Sequence, residues 1–517
     1  MGDRLVSAER RAVSTEENMW EDRFSRDDGR LTSIVSIDNL FDPDADLMEH
    51  KRLATNLSSF ANMTNTVVGA GVLGLPYAFS KTGFLLGPIL LLVAACYAWN
   101  GLHLIACICA KTGFPANLRS VSRPIHKHLP LVFDGIIALN TFGSGSAYLI
   151  VIGDLMPIVC AQLGAGGIWQ QRIFCIFLGF SIAAPFTFPH ELDFLKYSSA
   201  ACIVFIMYVA LAVMFFAIPG VDNPCEEQML DDDGPCRGDH VIYEGVTVQG
   251  VLSVLSIFVF GYGCHISSFP VVSEIKKATV ENLDRVFASS LAAASVIYFL
   301  VAVCGYLTYG EMVKSNLLLN YPAKGAMTVA RLMVCFVVTF SYPLQANPHR
   351  RSVMTILRSL LDPEDGEEPS RRVTRIRYMA VTTFYLSCTL LVGLTVSDLG
   401  KVIAVMGATG GTTIMFIMPS TLYLCHNPAP MEPAEGKDAK EPLLDSEGGE
   451  GQGQNVVIPH LASLGDGAGH QVKDMPVPEV TTFWRKAAWI QLISGIILMP
   501  TALIAIFALS APDHHNH

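Results

Sequence analysis

Long runs of apolar residues, separated by shorter polar connections, dominate the chain between residues 55 and 510. A helix needs about 20 apolar residues to cross the roughly 30 Å hydrocarbon core of a bilayer. The runs meet or approach this length, so the sequence predicts an all-α integral membrane protein with about eleven transmembrane helices. The predicted spans are Leu57–Tyr77, Leu85–Ala110, Leu131–Ala161, Ile173–Phe188, Ser198–Ile218, Val248–Phe269, Ala288–Tyr309, Ala326–Ala346, Tyr378–Val396, Val402–Leu424 and Ala487–Ala508.

The basic residues in the connections predict the orientation of these spans. Cytosolic loops of membrane proteins are enriched in Lys and Arg. With the N-terminus in the cytosol, the predicted cytosolic loops hold fifteen Lys and Arg residues, seven of them between Arg350 and Arg377, against six in the opposite loops. This asymmetry favours an odd number of spans, a cytosolic N-terminus and a C-terminus on the outside.

Composition agrees with a membrane protein and divides the chain into regions. Only 16% of the residues are charged, 51% are hydrophobic and the mean hydropathy is +0.41, which excludes an ordinary soluble protein. The net charge of −11 arises from two polar segments. The sequence has no cluster of basic residues of the kind that binds a nucleic acid. We predict a disordered acidic cytosolic tail (1–54), a core of ten spans (55–425), a disordered acidic cytosolic loop (426–485), and the eleventh span with a short outside tail (486–517).

Two of the thirteen cysteines lie apart from the apolar runs. Cys225 and Cys236 fall in the acidic connection of residues 219–244, which the predicted topology places outside. Disulfides form in oxidising compartments. We therefore predict a Cys225–Cys236 disulfide bond, with two free thiols as the alternative.

The first predicted span contains a segment that is poor helix material. Gly69, Gly71, Gly74 and Pro76 lie within eight residues, just after a polar stretch that includes Asn65. Glycine and proline weaken helices, although lipid tolerates them better than water does. We predict a discontinuous helix whose second half presents free N–H groups to an anion, while the Asn65 amide oxygen is available to a cation. The alternative is close packing of small residues against a neighbouring helix.

A second break is predicted in the sixth span, where Gly261 and Gly263 let the backbone leave the helix. His265 follows, and an ionisable group at membrane depth usually faces a cavity or a partner. We therefore consider His265 a possible proton-coupling residue, with a neutral, hydrogen-bonded core histidine as the alternative. Breaks in spans one and six are five spans apart, the separation that two five-helix repeats of inverted topology produce.

The eighth span carries hydroxyl groups beside a proline, in the segment Thr339-Phe340-Ser341-Tyr342-Pro343. Hydroxyl oxygens next to a loosened turn are plausible ligands of a hard cation. The alternative is that Thr339 and Ser341 bond to carbonyls of their own helix, as Ser and Thr commonly do.

These segments resemble the amino acid/auxin permease family, nearest its sodium-coupled neutral amino acid transporter branch. Spacing, span count and topology agree over roughly residues 55–425, although Tyr262 stands where the branch often has Phe, and Ser341 where it often has Thr. The matching motifs are Asn62-x-Thr64-Asn65-x-x-x-Gly69-x-Gly71-x-Leu73-Gly74-Leu75 in span one, Phe260-x-Tyr262-x-Cys264-His265 followed by Pro270 and Glu274 in span six, and Pro343 leading to Asn347-Pro348-His349-Arg350 in span eight.

The resemblance implies a LeuT-like fold, with ten core helices in a 5+5 inverted repeat plus one, and amino acid transport by alternating access driven by a sodium or proton gradient. It implies a Na⁺ site formed by Asn65 with Thr339 or Ser341. The implied amino acid site comprises the backbone around Val68, Gly69, Ala70, Gly71, Val72, Phe260, Gly261, Tyr262 and Gly263.

The charges of the substrate fit this prediction. A zwitterion offers a carboxylate to the N–H groups of the first break and an ammonium group to the carbonyls of the sixth. Neither break contains Asp, Glu, Lys or Arg, which favours neutral amino acids. An enzyme is not expected, because the predicted spans lack a metal-ligand or nucleophile motif.

An amino-acid-sensing receptor built on a transporter scaffold is the alternative function. We expect no tightly bound cofactor, only Na⁺ or H⁺ as a co-transported ion. The expected partners are an amino acid and the lipid bilayer, with partners of the acidic segments unknown. The expected location is the plasma membrane or a vacuolar or lysosomal membrane.

Overall fold

A computed structural model of the protein describes residues 54–112, 116–189, 195–218, 238–239, 246–323, 325–362, 369–426 and 482–510. Helices make up nearly all of this part of the chain, which contains a single isolated β-bridge between Ala54 and Ile275. A helix satisfies its backbone hydrogen bonds within one segment, so apolar runs of this length fold as helices in a bilayer.

Among the described residues before position 219 there are six helices, and they cover most of the first five predicted spans. They are α1 (Asn56–Val67), α2 (Leu75–Thr112), α3 (Leu118–Ser122), α4 (Leu129–Gln162), α5 (Arg172–Ala183) and α6 (Leu195–Phe216).

Eight helices lie in the part of the chain after residue 245 that the structure describes. They are α7 (Val248–Gly261), α8 (Ser268–Glu274), α9 (Val280–Tyr309), α10 (Gly325–Leu361), α11 (Arg371–Thr395), α12 (Leu399–Met406), α13 (Met418–Cys425) and α14 (Thr482–Ser510).

The all-helical membrane class predicted from the sequence is confirmed. Within the described residues, eight helical stretches are long and apolar enough to cross a membrane, and two shorter apolar stretches cover residues 172–187 and 201–216. The first and second predicted spans meet inside α2, at Gly83, where φ is 73°. Glycine adopts a positive φ without strain, so the chain turns there. The count of eleven spans stays a prediction.

Two helix pairs frame the interior of the protein. The helix α4 packs along α10, and α2 packs along α9. The short helix α1 packs on α9, while α7 packs on α2 and α14. Large apolar side chains such as Leu92, Leu211 and Ile493 are exposed on the outer faces, as expected of residues that contact lipid.

The start of α1 is fixed to neighbouring helices by polar contacts. The Thr55 hydroxyl caps the helix by accepting a hydrogen bond from the Ser58 N–H. The N–H of Ala54 donates to the Glu274 carbonyl at the end of α8. The Asn56 and Asn282 side chains exchange two hydrogen bonds, of 2.7 and 3.0 Å. The first half of the first span is therefore attached to both α8 and α9.

Candidate functional site

Both predicted interruptions are present in the structure. The helix α1 ends at Val67, Gly69 is extended, and a 3₁₀ turn over Ala70–Gly74 leads into α2. The helix α7 ends at Gly261, and a 3₁₀ turn over His265–Ser267 leads into α8. Each interruption leaves backbone groups outside the regular hydrogen-bonding pattern of a helix.

A cavity of about 310 Å³ lies against both interruptions. Side chains of α1, α4, α7, α8 and α10 line it, and its polar groups are amides and hydroxyls. No lining residue carries a charged side chain. The lining residues are Asn62, Asn65, Thr66, Val67, Val68, Gly69, Gly71, Asn140, Thr141, Ser144, Tyr148, Phe260, Gly261, Gly263, Ile266, Ser267, Pro270, Val337, Val338, Ser341, Leu344, Gln345, Pro348 and Gly411.

The two interruptions touch each other at a pair of glycines. A Cβ atom placed on Gly71 would lie 3.3 Å from the Gly261 Cα and 3.4 Å from the Phe260 ring. The absence of a side chain at Gly71 thus allows the first break to approach the backbone of the sixth. Most of the predicted substrate-site residues meet in this region, and those that line the cavity are Val68, Gly69, Gly71, Phe260, Gly261 and Gly263.

Two predicted substrate-site residues face away from this cavity. Tyr262 is fully buried, and its hydroxyl lies 2.7 Å from the Ser295 hydroxyl of α9. Val72 lines a separate, small apolar void with Gly69 and Val338. Ala70 begins the 3₁₀ turn that follows the first break. Tyr262 and Val72 therefore belong to the packing around the breaks.

The predicted cation ligands are divided between two environments. Asn65 and Ser341 line the cavity, and Ser341 also hydrogen-bonds to the Cys202 thiol. Thr339 does not line the cavity, and its hydroxyl donates to the Cys335 carbonyl one turn earlier, at 2.7 Å. Residues two apart on a helix point in nearly opposite directions, so α10 brings only one of these two hydroxyls to the cavity that Asn65 lines.

His265 lies behind the sixth break, outside the cavity lining. Its ring is fully buried, with Nε2 3.1 Å from the Ala98 carbonyl of α2. The other ring nitrogen has no hydrogen-bond partner among the described residues. This arrangement matches the neutral core histidine that the sequence left as the alternative.

Tyr298 of α9 joins the two interruptions and was not predicted from the sequence. Its hydroxyl lies 2.5 Å from the Val67 carbonyl and 2.8 Å from the Gly261 carbonyl, which are the last residues of α1 and α7. One hydroxyl has one hydrogen, which the two carbonyls share. Tyr298 therefore satisfies backbone groups that the breaks expose, and it holds them at a fixed separation.

A third irregular helix borders the site. Between α12 and α13 the tenth predicted span forms π-helical turns over Gly407–Gly411 and Thr413–Ile417. A Cβ atom on Gly407 would lie 1.9 Å from the Ser256 carbonyl, so glycine is required for this helix to reach α7. The sequence signal that could have revealed the irregularity is the group of glycines at 407, 410 and 411.

Interrupted helices around a polar but uncharged cavity are the arrangement of a membrane transporter for small solutes. Residues 52–440 match the family described as transmembrane amino acid transporter protein. The chain belongs to this family, which confirms the resemblance found in its motifs. It is a multi-pass membrane protein of a family of transporters and not of enzymes.

The chain is similar to several individual proteins. The vacuolar amino acid transporter 5 of Schizosaccharomyces pombe is 30% identical over 369 residues, which cover 71% of this chain and 83% of the relative. The human sodium-coupled neutral amino acid transporter 7 is 28% identical over 375 residues, covering 71% of this chain and 78% of the relative. The chain is also similar to the solved structure of Mhp1, a nucleobase-cation-symport-1 family transporter in a closed conformation with bromovinylhydantoin bound. That match has a TM-score of 0.47 and 13% identity, and it covers 89% of this chain and 91% of the other.

Cys225 and Cys236 lie outside the described residues, so their disulfide bond stays a prediction. The two acidic segments, residues 1–53 and 427–481, also lie outside them.

Proposed function

We propose that the protein is a secondary active transporter that carries neutral amino acids by alternating access and is driven by a cation gradient. The observation that supports this most directly is the cavity at the two interrupted helices, which is lined by amides, hydroxyls and backbone but by no charged side chain. Binding at the interface of broken helices is the usual arrangement in transporters with inverted repeats.

The polar groups at the breaks match the two ends of a zwitterion. The first N–H groups of a helical segment have no partner within it, and the segment that begins at Ala70 offers such donors to a carboxylate. The ammonium group would be held by carbonyl oxygens of the sixth break, beside Phe260 and Gly263. A substrate with a net charge would leave that charge unpaired here, at a cost in free energy.

Asn65 and Ser341 are the proposed oxygen ligands of a sodium ion. Both line the cavity that Gly69 and Gly71 also line. Sodium is a hard cation bound by several oxygens, and amide and hydroxyl oxygens supply these without a buried carboxylate. The name of the human relative, a sodium-coupled transporter, supports a sodium ion.

The vacuolar transporters among the relatives support a location in a vacuolar or lysosomal membrane. Fractionation of cells that produce the tagged full chain would test it. Cofractionation with vacuolar or lysosomal markers is expected, whereas cofractionation with plasma-membrane markers would contradict it.

Uptake by the purified full chain in proteoliposomes tests the proposed transport. The assay compares neutral, acidic and basic amino acids, each with a sodium gradient, a proton gradient or neither. We expect accumulation of a neutral amino acid that requires at least one gradient. Saturable binding without transport would instead favour a receptor, and uptake that never exceeds equilibrium would indicate a facilitator.

A further inference from the structure

A histidine–carboxylate pair lies between two long helices, α2 and α9, away from the cavity. The Nδ1 atom of His103 in α2 lies 3.0 Å from Oδ1 and 2.9 Å from Oδ2 of Asp284 in α9. The side chains are 8% and 22% exposed, respectively. The pair is thus nearly buried, with access to solvent through the carboxylate. The two residues are 181 positions apart, so only the fold brings them together.

Aromatic rings surround the imidazole on its other sides. The ring of Trp484, near the start of α14, lies 3.9 Å from the His103 ring, centroid to centroid. Trp99 stacks on the same imidazole at 5.8 Å. A carboxylate and indole faces both stabilise an imidazolium, the former through a charge-assisted hydrogen bond and the latter through cation–π attraction.

The pair distinguishes His103 from the other buried histidines. The His265 ring contacts the Ala98 carbonyl at 3.1 Å, and the His349 ring contacts the Ala138 carbonyl at 2.9 Å. Among the histidines that the structure describes, His103 alone forms an ion pair with a carboxylate. Among these histidines it is therefore the one best suited to carry a positive charge.

Other titratable groups lie near the pair. On α2, the Cys107 sulfur is 3.4 Å from Nε2 of His103. Beyond it are Lys111, whose Nζ lies 5.2 Å from the Tyr423 ring of α13, and Arg485 of α14, close to that same tyrosine. Asp284 is thus the carboxylate that faces the imidazole, while Lys111 and Arg485 lie near Tyr423 and Arg285 of α9 pairs with Glu281.

Both helices of the pair are bonded to the interruptions. On α2, the Ala98 carbonyl accepts from His265, which follows the sixth break. On α9, Tyr298 contacts the carbonyls of Val67 and Gly261. A change of charge between α2 and α9 therefore acts on two helices that hold the substrate site. This arrangement provides a physical connection between the pair and transport.

We propose that the His103–Asp284 pair binds the proton that is coupled to amino acid transport. With Nδ1 donating to the carboxylate, the proton adds to Nε2, which in the neutral ring accepts a hydrogen bond from Cys107. The pair then passes from a net charge of −1 to a neutral ion pair, the less costly form for a nearly buried pair. The inference rests on the proposed transport function, and it is independent of whether sodium binds beside Asn65.

The test separates coupled uptake from exchange in proteoliposomes that contain the full chain and a pH-sensitive dye. One assay measures accumulation of a neutral amino acid driven by a proton gradient. The other measures exchange of labelled for unlabelled amino acid at equal pH on both sides. For His103→Gln and Asp284→Asn we expect gradient-driven accumulation and substrate-induced proton flux to fall about tenfold or more, while exchange stays within about twofold. His349→Gln, another buried histidine on a carbonyl, is the matched control and should change neither.

Preserved exchange also shows that a variant is folded. Gradient-driven accumulation that survives in His103→Gln would overturn the proposal. Equal loss of accumulation and exchange in both variants would overturn it too, because it would indicate a structural pair. If wild-type uptake does not depend on the proton gradient, the proposed proton site is refuted, but the proposed amino acid transport is not. Wild-type protein that transports no amino acid would contradict the proposed function, and this proposal with it.

Discussion

The hydroxyl of Tyr298 lies 2.8 Å from the carbonyl oxygen of Gly261, at the point where α7 stops. The same hydroxyl lies 2.5 Å from the Val67 carbonyl, where α1 stops. A helix interrupted inside a membrane leaves carbonyls outside the regular helical pattern, and these need partners in the protein or in a polar cavity. One side chain on α9 therefore stabilises both interruptions.

Replacing Tyr298 with Phe removes this partner and keeps the ring. We expect the protein to remain folded, since the loss of one buried hydrogen bond costs about 1–3 kcal/mol. The substrate concentration at half-maximal uptake should rise several-fold, because the breaks that form the site lose their fixed separation. Uptake kinetics and thermal unfolding of the purified protein measure the two effects.

Tyr309→Phe is the matched control on the same helix. Tyr309 is fully buried, and its hydroxyl has no hydrogen-bond partner among the described residues. Its removal should change neither uptake nor stability. If Tyr298→Phe behaves like Tyr309→Phe, the bond to the breaks is not needed for substrate binding.

The interruptions could be predicted from the sequence because helix propensity is a local property. Glycines at positions 69, 71, 261 and 263 lower this propensity and so indicate where the two helices break. Tyr298 could not be predicted, since nothing in its local sequence shows that its hydroxyl reaches two other helices. Such contacts depend on how helices rotate and pack, which a period of 3.6 residues does not determine.

The same limit applies to side chains next to a break. The orientation of His265 depends on how the chain turns after Gly263, and the structure directs it to α2. In α10, the sequence places two hydroxyls near the predicted cation site but does not show which of them faces the cavity. The register of α10 against α4 decides this, and Ser341 is the one that lines it.

A sodium ion beside Asn65 and Ser341 predicts a specific kinetic change. Asn65→Ala or Ser341→Ala should raise the sodium concentration for half-maximal uptake by about fivefold or more, with a smaller effect on the amino acid requirement. Thr339→Val is the matched control, because that hydroxyl bonds to its own helix. If uptake depends on sodium but Ser341→Ala and Thr339→Val change the half-maximal sodium concentration equally, Ser341 is not a ligand. If uptake does not depend on sodium, the sodium site is excluded.

A salt bridge at the end of α10 predicts a pH-dependent contribution to stability. Arg377 Nη1 and Nη2 lie 2.7 and 2.9 Å from the two carboxylate oxygens of Asp362. These hydrogen bonds lower the pKa of Asp362 below its usual value. Because the folded state has the lower pKa, the stabilisation is present above the ordinary carboxyl pKa of about 4 and is lost as the pH falls through the folded value.

Thermal unfolding of Asp362→Asn and wild type in detergent measures this contribution. The variant should unfold at a lower temperature at neutral pH, and the difference should shrink as the pH falls below the ordinary carboxyl pKa of about 4 and the wild-type carboxylate takes up a proton. Glu281→Gln is the control, since the Glu281 and Arg285 side chains are 77% and 72% exposed and such pairs contribute little. A difference that does not depend on pH would show that charge is not the cause.

The contact between the two breaks predicts that Gly71 cannot carry a large side chain. A Cβ atom there would already lie 3.3 Å from the Gly261 Cα, so the Leu side chain of Gly71→Leu must displace either the sixth break or the Phe260 ring. We expect uptake to fall to the background of empty liposomes. The protein should still insert and purify as a single species, because the displaced groups belong to the site and not to the helix pairs α4–α10 and α2–α9. Gly135→Leu is the matched control, since Gly135 is an exposed glycine of α4 with no atom within 4 Å of the added Cβ. Normal uptake by Gly71→Leu would show that the two breaks need not touch for transport.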